Sequence, residues 1–482
     1  MTFARRLIAG SMQLTLSNGV VRLLAIVTMP ILTSLLNPQA YGIATLLGTV
    51  ISMVSVFALA GIDVSYARTY HSMQVPNGID AELFCWRFAI FSSMLMAAIS
   101  ALAWATITSR SAALDYRLAV LLASGIILSV VHTMTQTRAR LGGRYQAMAL
   151  VTIASGIIGP AASIAIAAWW RQDALALILP MLLSYLIPTL LLGVPPVTAL
   201  VKPSVLSRDA SIPLIKIGLA AIVTAPMYWL LSSSDRWFLQ YFHGSEAVGI
   251  YSIGYSVGII GMMINTTVMS VWLPEATREY EQDRERAKLT LGRLMSRLIA
   301  AMALIWLTAT AAGGDVIRLL ANERFHSSAV FVPFIAGGVF FFGTSQLALY
   351  GLVLVKQFHW AAIWWFVGGL VCTLLNFSLV PQYGGFGAAI TQSVSFAFIF
   401  IGILATSQAK YRVQLNWARL TAVMVLIVIA GLFLAPAWYE SATVSLLMKF
   451  PFGVAVVAIT SWLIAPDWCV RGVRKLCRGK LA

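Results

Sequence analysis

Residues 39–43, Gln-Ala-Tyr-Gly-Ile, recur 207 residues later as residues 246–250, Glu-Ala-Val-Gly-Ile. Each copy follows a predicted turn and begins a long apolar run. Similarity between two distant stretches of one chain indicates that a structural unit has been repeated. The sequence therefore predicts two copies of one helical lobe, one in each half of the chain.

The composition excludes a water-soluble protein. Of the 482 residues, 60% are hydrophobic and only 10% are charged, and the mean hydropathy is +0.85. Soluble domains carry about 25% charged residues. Runs of about 20 apolar residues, long enough to cross the hydrocarbon core as helices, recur along the chain. These runs are continuously apolar rather than alternating, which excludes a transmembrane β-barrel.

We predict an all-α polytopic membrane protein with fourteen transmembrane helices, arranged as two parallel six-helix lobes followed by two C-terminal helices. The lobes are predicted to be parallel because an even number of crossings separates the two repeats. The predicted parts are an N-lobe at 1–212 with spans 1–6, a C-lobe at 213–409 with spans 7–12, and 410–482 with the last two spans and a basic tail. Repeated lobes are typical of secondary transporters, whose substrate path usually lies at the lobe interface.

The distribution of basic residues predicts the orientation. If the N-terminus is cytoplasmic, 25 of the 33 Lys and Arg residues fall on the cytoplasmic side and six on the other. This bias predicts that both termini are cytoplasmic. Topology and anionic lipid account for the net charge of +16, so no nucleic-acid partner is expected. The spacing of the four cysteines and five histidines predicts neither a disulfide nor a metal site.

Five motifs, in order, resemble the polysaccharide-transport branch of the multidrug/oligosaccharidyl-lipid/polysaccharide exporter superfamily. They are residues 35–42 (LLNPQAYG), residues 61–63 (GID) with Arg68, residues 235–236 (DR), residues 248–251 (VGIY) and residues 376–391 (NFSLVPQYGGFGAAIT). The last motif is similar to the turn between spans 11 and 12 of that family. The resemblance covers most of the chain.

The resemblance implies a flippase that moves a polyprenyl-diphosphate-linked oligosaccharide across a bacterial inner membrane by alternating access, for O-antigen, capsule or exopolysaccharide assembly. It implies coupling to a proton or sodium gradient and no cofactor. Membrane lipids, a polysaccharide polymerase and chain-length proteins are the expected partners. A drug exporter and a peptidoglycan-precursor flippase remain alternatives, although the Arg-Asp step of the latter is missing here because Leu23 follows Arg22.

Four cations are predicted to bind the substrate in a cationic cavity. Arg22 lies about 13 Å into span 1, where exposure to lipid would cost about 2.5 to 3.5 kcal/mol. A guanidinium binds phosphate oxygens bidentately, which suits a diphosphate lipid. Lys216 enters span 7, the repeat equivalent of span 1, and Arg293 and Arg297 share one face at the start of span 9.

Structural roles compete with these assignments. Arg22 could instead pair with Asp63, and the other cations could anchor helix ends to lipid phosphates. Lys449, in span 14, could snorkel or mark a lipid groove. Asp63 and Asp235 are candidates for ion coupling because both are predicted at or near membrane depth. For Asp63 the alternative is a fixed salt bridge to Arg22 or Arg68, and for Asp235 it is a solvated pair with Arg236.

Uncharged polar residues within the spans could bind sugar hydroxyls or join helices. They are Asn18, Gln136, Asn265, Gln346, Asn376 and Gln392.

An enzyme of polysaccharide assembly, such as a polymerase or ligase, is the alternative from another functional class. Such an enzyme would need an outer loop with paired acids or an arginine cluster. The longest predicted outer loop, residues 314–329, offers only Asp315 and Glu323, so no catalytic site is predicted.

Overall fold

A computed structural model describes residues 3–70, 78–108, 116–196, 198, 200, 208–222 and 225–464. Throughout these residues the regular elements are helices and no strand occurs, as predicted. An apolar run in lipid must satisfy its backbone hydrogen bonds internally, and a helix does so within one segment. The protein is therefore an all-helical, multipass membrane protein.

Fifteen α-helices are assigned within the described ranges. They are α1 (Phe3–Leu35), α2 (Pro38–Leu59), α3 (Ile62–Thr69), α4 (Gly78–Thr108), α5 (Tyr116–Leu141), α6 (Tyr145–Trp169), α7 (Leu175–Leu192), α8 (Arg208–Ile222), α9 (Ala225–Gly258), α10 (Met262–Gln282), α11 (Arg284–Leu320), α12 (Val332–Leu354), α13 (His359–Lys410), α14 (Trp417–Leu434) and α15 (Ala442–Ile464). Two short 3₁₀ helices cover Ile259–Gly261 and Glu323–Phe331.

The described residues contain twelve helical stretches long and apolar enough to span a membrane, so the predicted count of fourteen is not confirmed. Two of the twelve fold back on themselves at a glycine. In α13, Gly384 has φ 54°, and the indole of Trp364 donates a 2.8 Å hydrogen bond to Oγ1 of Thr406. These two residues would lie about 63 Å apart in a straight helix. Gly244, with φ 81°, breaks α9 just before the second repeat motif.

The chain divides into two compact units, Met1–Ser233 and Ser234–Ala482, which we call unit 1 and unit 2. In unit 1 a buried core joins Leu47 and Ile51 of α2 to Leu122 and Ile126 of α5 and to Ile178 of α7. In unit 2 the ring of Phe396 packs edge to face against the rings of Phe342 and Trp365. The predicted lobe and tail boundaries at 212/213 and 409/410 stay predictions.

The ends of α2 follow from its sequence. Asn37 caps the helix by accepting a 2.9 Å hydrogen bond from the backbone N–H of Ala40, and Pro38 occupies the first turn. Ala60 and Gly61 then adopt left-handed conformations, with φ of 46° and 69°. Helix α2 therefore ends at Leu59, and Asp63, which was predicted at or near membrane depth, lies in the separate short helix α3.

Helices α3 and α8 meet at two glycines. A Cβ atom on Gly61 would overlap the carbonyl oxygen of Gly218, and one on Gly218 would approach the carbonyl of Ala60 to 2.6 Å. The Ser65 hydroxyl donates a 2.5 Å hydrogen bond to the carbonyl of Leu214 in the same interface. Glycine at both positions lets the two backbones touch.

Replacing Gly61 with Ala should lower the free energy of unfolding by more than the same change at Gly143. Both glycines have nearly the same φ, 69° and 68°, so the left-handed conformation costs each variant about 1 to 2 kcal/mol. A Cβ at Gly143 has no atom within 4 Å, whereas one at Gly61 collides with Gly218. Unfolding of both variants in mixed micelles measures the difference, and equal losses would contradict the close contact.

The predicted outer loop at residues 314–329 is wrong over its first part. Helix α11 continues to Leu320, and the 3₁₀ helix Glu323–Phe331 follows. Gly313 allows α11 to pack closely against Val332, because a Cβ at this position would have no room. Asp315 is consequently a buried helical residue, 1% exposed, rather than a loop residue.

Candidate functional site

Unit 1 contains an open cavity of about 530 Å³, lined by helices α1, α5, α6 and α7. Its lining residues are Leu14, Asn18, Val21, Ala25, His132, Gln136, Arg140, Met148, Thr152, Ser155, Gly156, Pro160, Ser184 and Pro188. Half of these side chains are polar or charged, although they come from strongly apolar spans. Such concentration of polar groups around a space inside a membrane protein marks a candidate binding site.

Helix α5 supplies the most polar wall of the cavity. His132, Gln136 and Arg140 are spaced four residues apart, and side chains at this spacing share one face of a helix. The stripe extends about 12 Å along the helix and ends near the cytoplasmic side predicted from the sequence. Of these residues, Gln136 was predicted as a sugar-binding candidate, whereas Arg140 was used only to assign topology. Sequence reasoning missed His132, although its spacing was visible.

Helix α1 contributes Asn18 and three apolar residues, Leu14, Val21 and Ala25, to the lining. Close approach of α1 to α6 depends on Gly156, because a Cβ there would overlap the side chain of Val21. Two hydroxyls of the lining, those of Ser155 and Ser184, donate to carbonyls one turn earlier in their own helices. Asn18 was also predicted as a sugar-binding candidate, so the structure brings two of the six predicted polar residues to one cavity.

The cavity carries positive charge. Arg140 is its one cationic lining residue among those described, and the described lining contains no Asp or Glu. Neighbouring Arg138 differs, because its Nε lies 2.8 Å from the carboxylate of Glu82. Outside the spans, burial raises the pKa of the Asp63 carboxyl, while backbone hydrogen bonds and the Arg140 guanidinium act in the opposite direction. The arrangement suits an anionic ligand that also forms hydrogen bonds.

The predicted site residues of unit 1 lie outside this lining. Arg22 is partly exposed on α1, and at 100° per residue it lies beside the face formed by Asn18 and Val21. Lys216 is exposed on α8. Among the described residues, no ion pair joins Asp63 to Arg22 or to Arg68. The fixed salt bridges considered as alternatives are therefore absent from the described part of the chain.

The two predicted cations of unit 2 lie on α11. Arg293 is exposed, and its Nε donates a 3.4 Å hydrogen bond to the carbonyl of Leu289 in the preceding turn. Arg297 is partly buried. The grouping of these residues with Arg22 and Lys216 in one cationic cavity stays a prediction.

Asp235 and Arg236 form a buried ion pair in unit 2, with side-chain exposures of 4% and 6%. One carboxylate oxygen of Asp235 accepts hydrogen bonds from the Arg236 backbone at 2.8 Å and guanidinium at 3.1 Å. The other accepts a 2.5 Å hydrogen bond from the hydroxyl of Tyr251. The guanidinium also lies 4.0 Å from the ring centre of Tyr255. The solvated, interfacial pair considered from the sequence is therefore wrong.

A polar contact connects this region to α13. The side-chain amide of Asn376 donates to Oγ of Ser234 at 3.5 Å and to Sγ of Cys372 at 3.6 Å. Its Oδ1 is buried and has no hydrogen-bond partner among the described residues. Asn265 serves the alternative role predicted for such residues, because it donates a 2.8 Å hydrogen bond to the Val339 carbonyl and joins two helices.

Lys449 does not snorkel, in contrast to one of the roles considered from the sequence. It lines an apolar groove of about 330 Å³ formed by α11, α14 and α15, so the lipid-groove role stays a prediction. Lys449 is 4% exposed, and its Nζ lies 2.7 Å from the carboxylate of Asp315. The same carboxylate accepts a 2.9 Å hydrogen bond from Ser445 and lies 3.4 Å from Arg318. These contacts join α15 to α11, so we assign the cluster of Asp315, Arg318, Ser445 and Lys449 a structural role.

Comparison with known structures identifies the fold. The chain is similar to a lipid II flippase, MurJ, in an inward closed conformation, with a TM-score of 0.69 and 11% identity over 95% of this chain and 99% of that one. It is similar to a mutant of the MATE transporter VcmN of Vibrio cholerae, with a TM-score of 0.59 and 12% identity over 85% and 97%. An inward-facing MATE transporter of the MOP superfamily matches with a TM-score of 0.55 and 12% identity over 83% and 95%.

Comparison of sequences identifies the family. No curated protein matches the chain. The model of a family described as polysaccharide biosynthesis protein matches residues 31–329, which is more than half of the chain. The matched region includes all of α2 to α11, and thus three of the four helices that line the cavity. The chain has a fold like that of MurJ and the MATE transporters and belongs to this polysaccharide biosynthesis family.

Proposed function

We propose that this protein moves a polyprenyl-diphosphate-linked oligosaccharide from the cytoplasmic to the periplasmic leaflet of a bacterial inner membrane. It does so by alternating access, with both termini in the cytoplasm, and supplies O-antigen, capsule or exopolysaccharide assembly. The observation that carries the proposal is the cavity of unit 1, cationic and rich in hydrogen-bonding groups, in a chain of a polysaccharide biosynthesis family.

The chemistry of the lining suits the headgroup of such a lipid. A diphosphate diester carries two negative charges, and the fork of Arg140 can hold two of its oxygens. The amides of Asn18 and Gln136 can both donate to and accept from sugar hydroxyls. Because Arg140 lies near the predicted cytoplasmic end of α5, the cavity would be loaded from the side where the lipid-linked unit is made.

Energy for net movement would come from a proton or sodium gradient, because the chain contains no Gly-rich phosphate loop of the Walker type. Asp63 and Asp235 are the proposed coupling residues. Asp235 is the better placed of the two, since it is buried in unit 2 beside the polar contact of Asn376 with Ser234. A carboxylate at such a site can change its proton or ion occupancy when the surroundings rearrange.

A peptidoglycan-precursor flippase is the second candidate. The fold likeness to the lipid II flippase MurJ, at a TM-score of 0.69, favours it. Both cargoes are diphosphate lipids, so the cavity suits either, but Leu23 stands where that branch has an acid after its arginine. A drug exporter is less well supported, because an organic cation would find no carboxylate in the described lining of the cavity.

Replacing Arg140 with Gln should reduce surface polysaccharide at least about tenfold, because a charge-assisted hydrogen bond contributes about 1.5 to 3 kcal/mol. The variant is expressed in a strain that lacks the chromosomal gene, and both surface polysaccharide and the accumulated lipid-linked intermediate are measured. We expect the intermediate to accumulate in the cytoplasmic leaflet, because its synthesis does not need this protein. Mass spectrometry of the intermediate distinguishes exported glycan from peptidoglycan precursor.

The matched control is Arg278→Gln, which removes the same charge from an exposed surface pair with Glu275. It should leave export unchanged. Arg22→Ala tests the cation predicted from the sequence and should also abolish export while leaving synthesis intact. Normal surface polysaccharide in both the Arg140 and Arg22 variants, with each protein present at normal levels, would contradict the proposal.

A further inference from the structure

His132 is a titratable residue of the cavity to which no role has yet been given. It lies on α5, two turns before Arg140, and its ring centre is 5.6 Å from that of Tyr185 on α7. Its imidazole hydrogen-bonds to the backbone of Tyr185, while its Nδ1 is buried and has no hydrogen-bond partner among the described residues. A buried polar atom without a partner is unusual in a folded protein and calls for a functional explanation.

We propose that His132 takes up a proton when a phosphate-bearing headgroup enters the cavity, so that binding of the anion and binding of the proton are linked. The inference rests on the proposed function and adds the residue that makes headgroup binding depend on pH. Histidine is the side chain whose charge ordinarily changes between about pH 5 and 8. Protonation would raise the positive charge of the lining, and both ring nitrogens of His132 would then carry a hydrogen.

The geometry favours linkage between these two events. His132 and Arg140 lie about 12 Å apart along one helix face, so a diphosphate with its first sugar can contact both. With no carboxylate in the described lining, the cavity itself provides no negative charge to stabilise a second cation. The anionic ligand would provide that charge, and the proton would be held most tightly while the ligand is bound.

The charges on the helices around α5 are few. Helix α7 has no charged residue, and the ring of its Tyr185 lies beside that of His132. The lining residues of α1 and α6 are uncharged, and Arg22 lies beside the α1 face. Helix α2 has no charged residue. The charged residues of α4 and α3 are Asp80, Glu82, Arg87, Asp63 and Arg68. Glu82 is paired with Arg138, and Asp63 interacts with Arg140, so neither acid faces His132 in the lining.

Binding of a short prenyl-diphosphate sugar to the purified protein tests the linkage. Geranyl-diphosphate N-acetylglucosamine is a suitable probe, because its diphosphate diester does not titrate between about pH 6 and 8. Calorimetry should give an affinity that falls as the pH rises, by up to about tenfold per pH unit. Titrations at about pH 7 in two buffers of different ionisation enthalpy should detect uptake of up to about one proton per bound ligand.

Substitutions then identify the residue responsible. His132→Gln should bind the probe with an affinity that no longer depends on pH, and His132→Asn provides a second variant if the first does not fold. His359→Gln, which changes an exposed histidine of unit 2, should keep the dependence. Arg140→Gln should weaken binding at every pH.

The outcomes separate the two proposals. Binding by the unsubstituted protein without pH dependence or proton uptake would overturn the role of His132 and leave the proposed function intact. A pH dependence that survives in folded His132 variants would overturn it as well. Failure of the probe to bind at any pH would instead contradict the proposed headgroup site.

Discussion

Replacing Asp315 with Asn should lower the free energy of unfolding by about 3 to 5 kcal/mol, because it leaves the ammonium of Lys449 buried without a counter-charge. Lys449 is 4% exposed, and its only other hydrogen bond in the described residues is to the Ala311 carbonyl, at 3.1 Å. The carboxamide of Asn cannot balance that charge. Unfolding in mixed micelles by graded addition of SDS measures the loss.

Replacing the partner residue, as Lys449→Met, should lower the free energy of unfolding by less than Asp315→Asn does. Asp315 would keep the guanidinium of Arg318 at 3.4 Å and the hydroxyl of Ser445 at 2.9 Å. The double variant with Asp315→Asn and Lys449→Met should recover much of the stability lost in Asp315→Asn alone. Replacing a buried ion pair with uncharged residues often leaves stability unchanged. This order of effects separates a true ion pair from the simple loss of a carboxylate.

The control for Asp315→Asn is Glu275→Gln, which removes a carboxylate from an exposed pair with Arg278. The side chains there are 61% and 69% exposed, and the pair should contribute less than about 1 kcal/mol. Equal effects of Asp315→Asn and Glu275→Gln would contradict the structural role of the cluster. Arg318 also donates to the carbonyls of Tyr439 and Glu440, so we expect the connection between α14 and α15 to loosen in the Asp315 variant.

The sequence predicted the features that depend on local composition. A long apolar run needs only its own residues to form a spanning helix, so the helical fold follows directly. The break after α2 was harder to place, because Asp63 follows an apolar run and the left-handed pair Ala60 and Gly61 interrupts it. Helix ends of this kind depend on backbone conformation, which hydropathy does not report.

Features that depend on distant contacts could not be predicted from a single sequence. Lys449 and Asp315 are 134 residues apart, and nothing in either neighbourhood indicates the other. Helix α11 continues through residues 314–320, where an outer loop was predicted, because Gly313 allows the helix to pack tightly against Val332. In each case tertiary structure overrides a reasonable local interpretation.

The candidate site was predicted in part. Asn18 and Gln136 were identified because polar residues are rare within spans, and both line the cavity of unit 1. Arg140 was assigned to topology alone, because a cation near a helix end ordinarily marks the cytoplasmic side. The spacing of His132, Gln136 and Arg140 contained the missing information, since a polar stripe on an apolar helix needs a wet or polar partner.

Replacing Asp235 with Asn should also lower the free energy of unfolding by about 3 to 5 kcal/mol. Arg236 would remain buried without its counter-charge, and Tyr251 would lose its carboxylate acceptor. The hydrogen bond from Tyr251 joins residues on either side of the break at Gly244, so its loss weakens the turn in α9. The control Asp173→Asn removes a carboxylate paired with Arg171 on the surface, and should cost about 1 kcal/mol or less.

A second substitution separates this stability effect from ion coupling. The double variant with Asp235→Asn and Arg236→Gln leaves no buried charge in the pair and should recover much of the lost stability. In proteoliposomes it should still exchange lipid-linked substrate between leaflets. Stimulation by an imposed proton or sodium gradient should fall about tenfold or more, because the carboxylate proposed to hold the ion is absent. If the folded double variant responds to the gradient as strongly as the unsubstituted protein, Asp235 stabilises unit 2 but does not couple transport, and Asp63 becomes the residue to test.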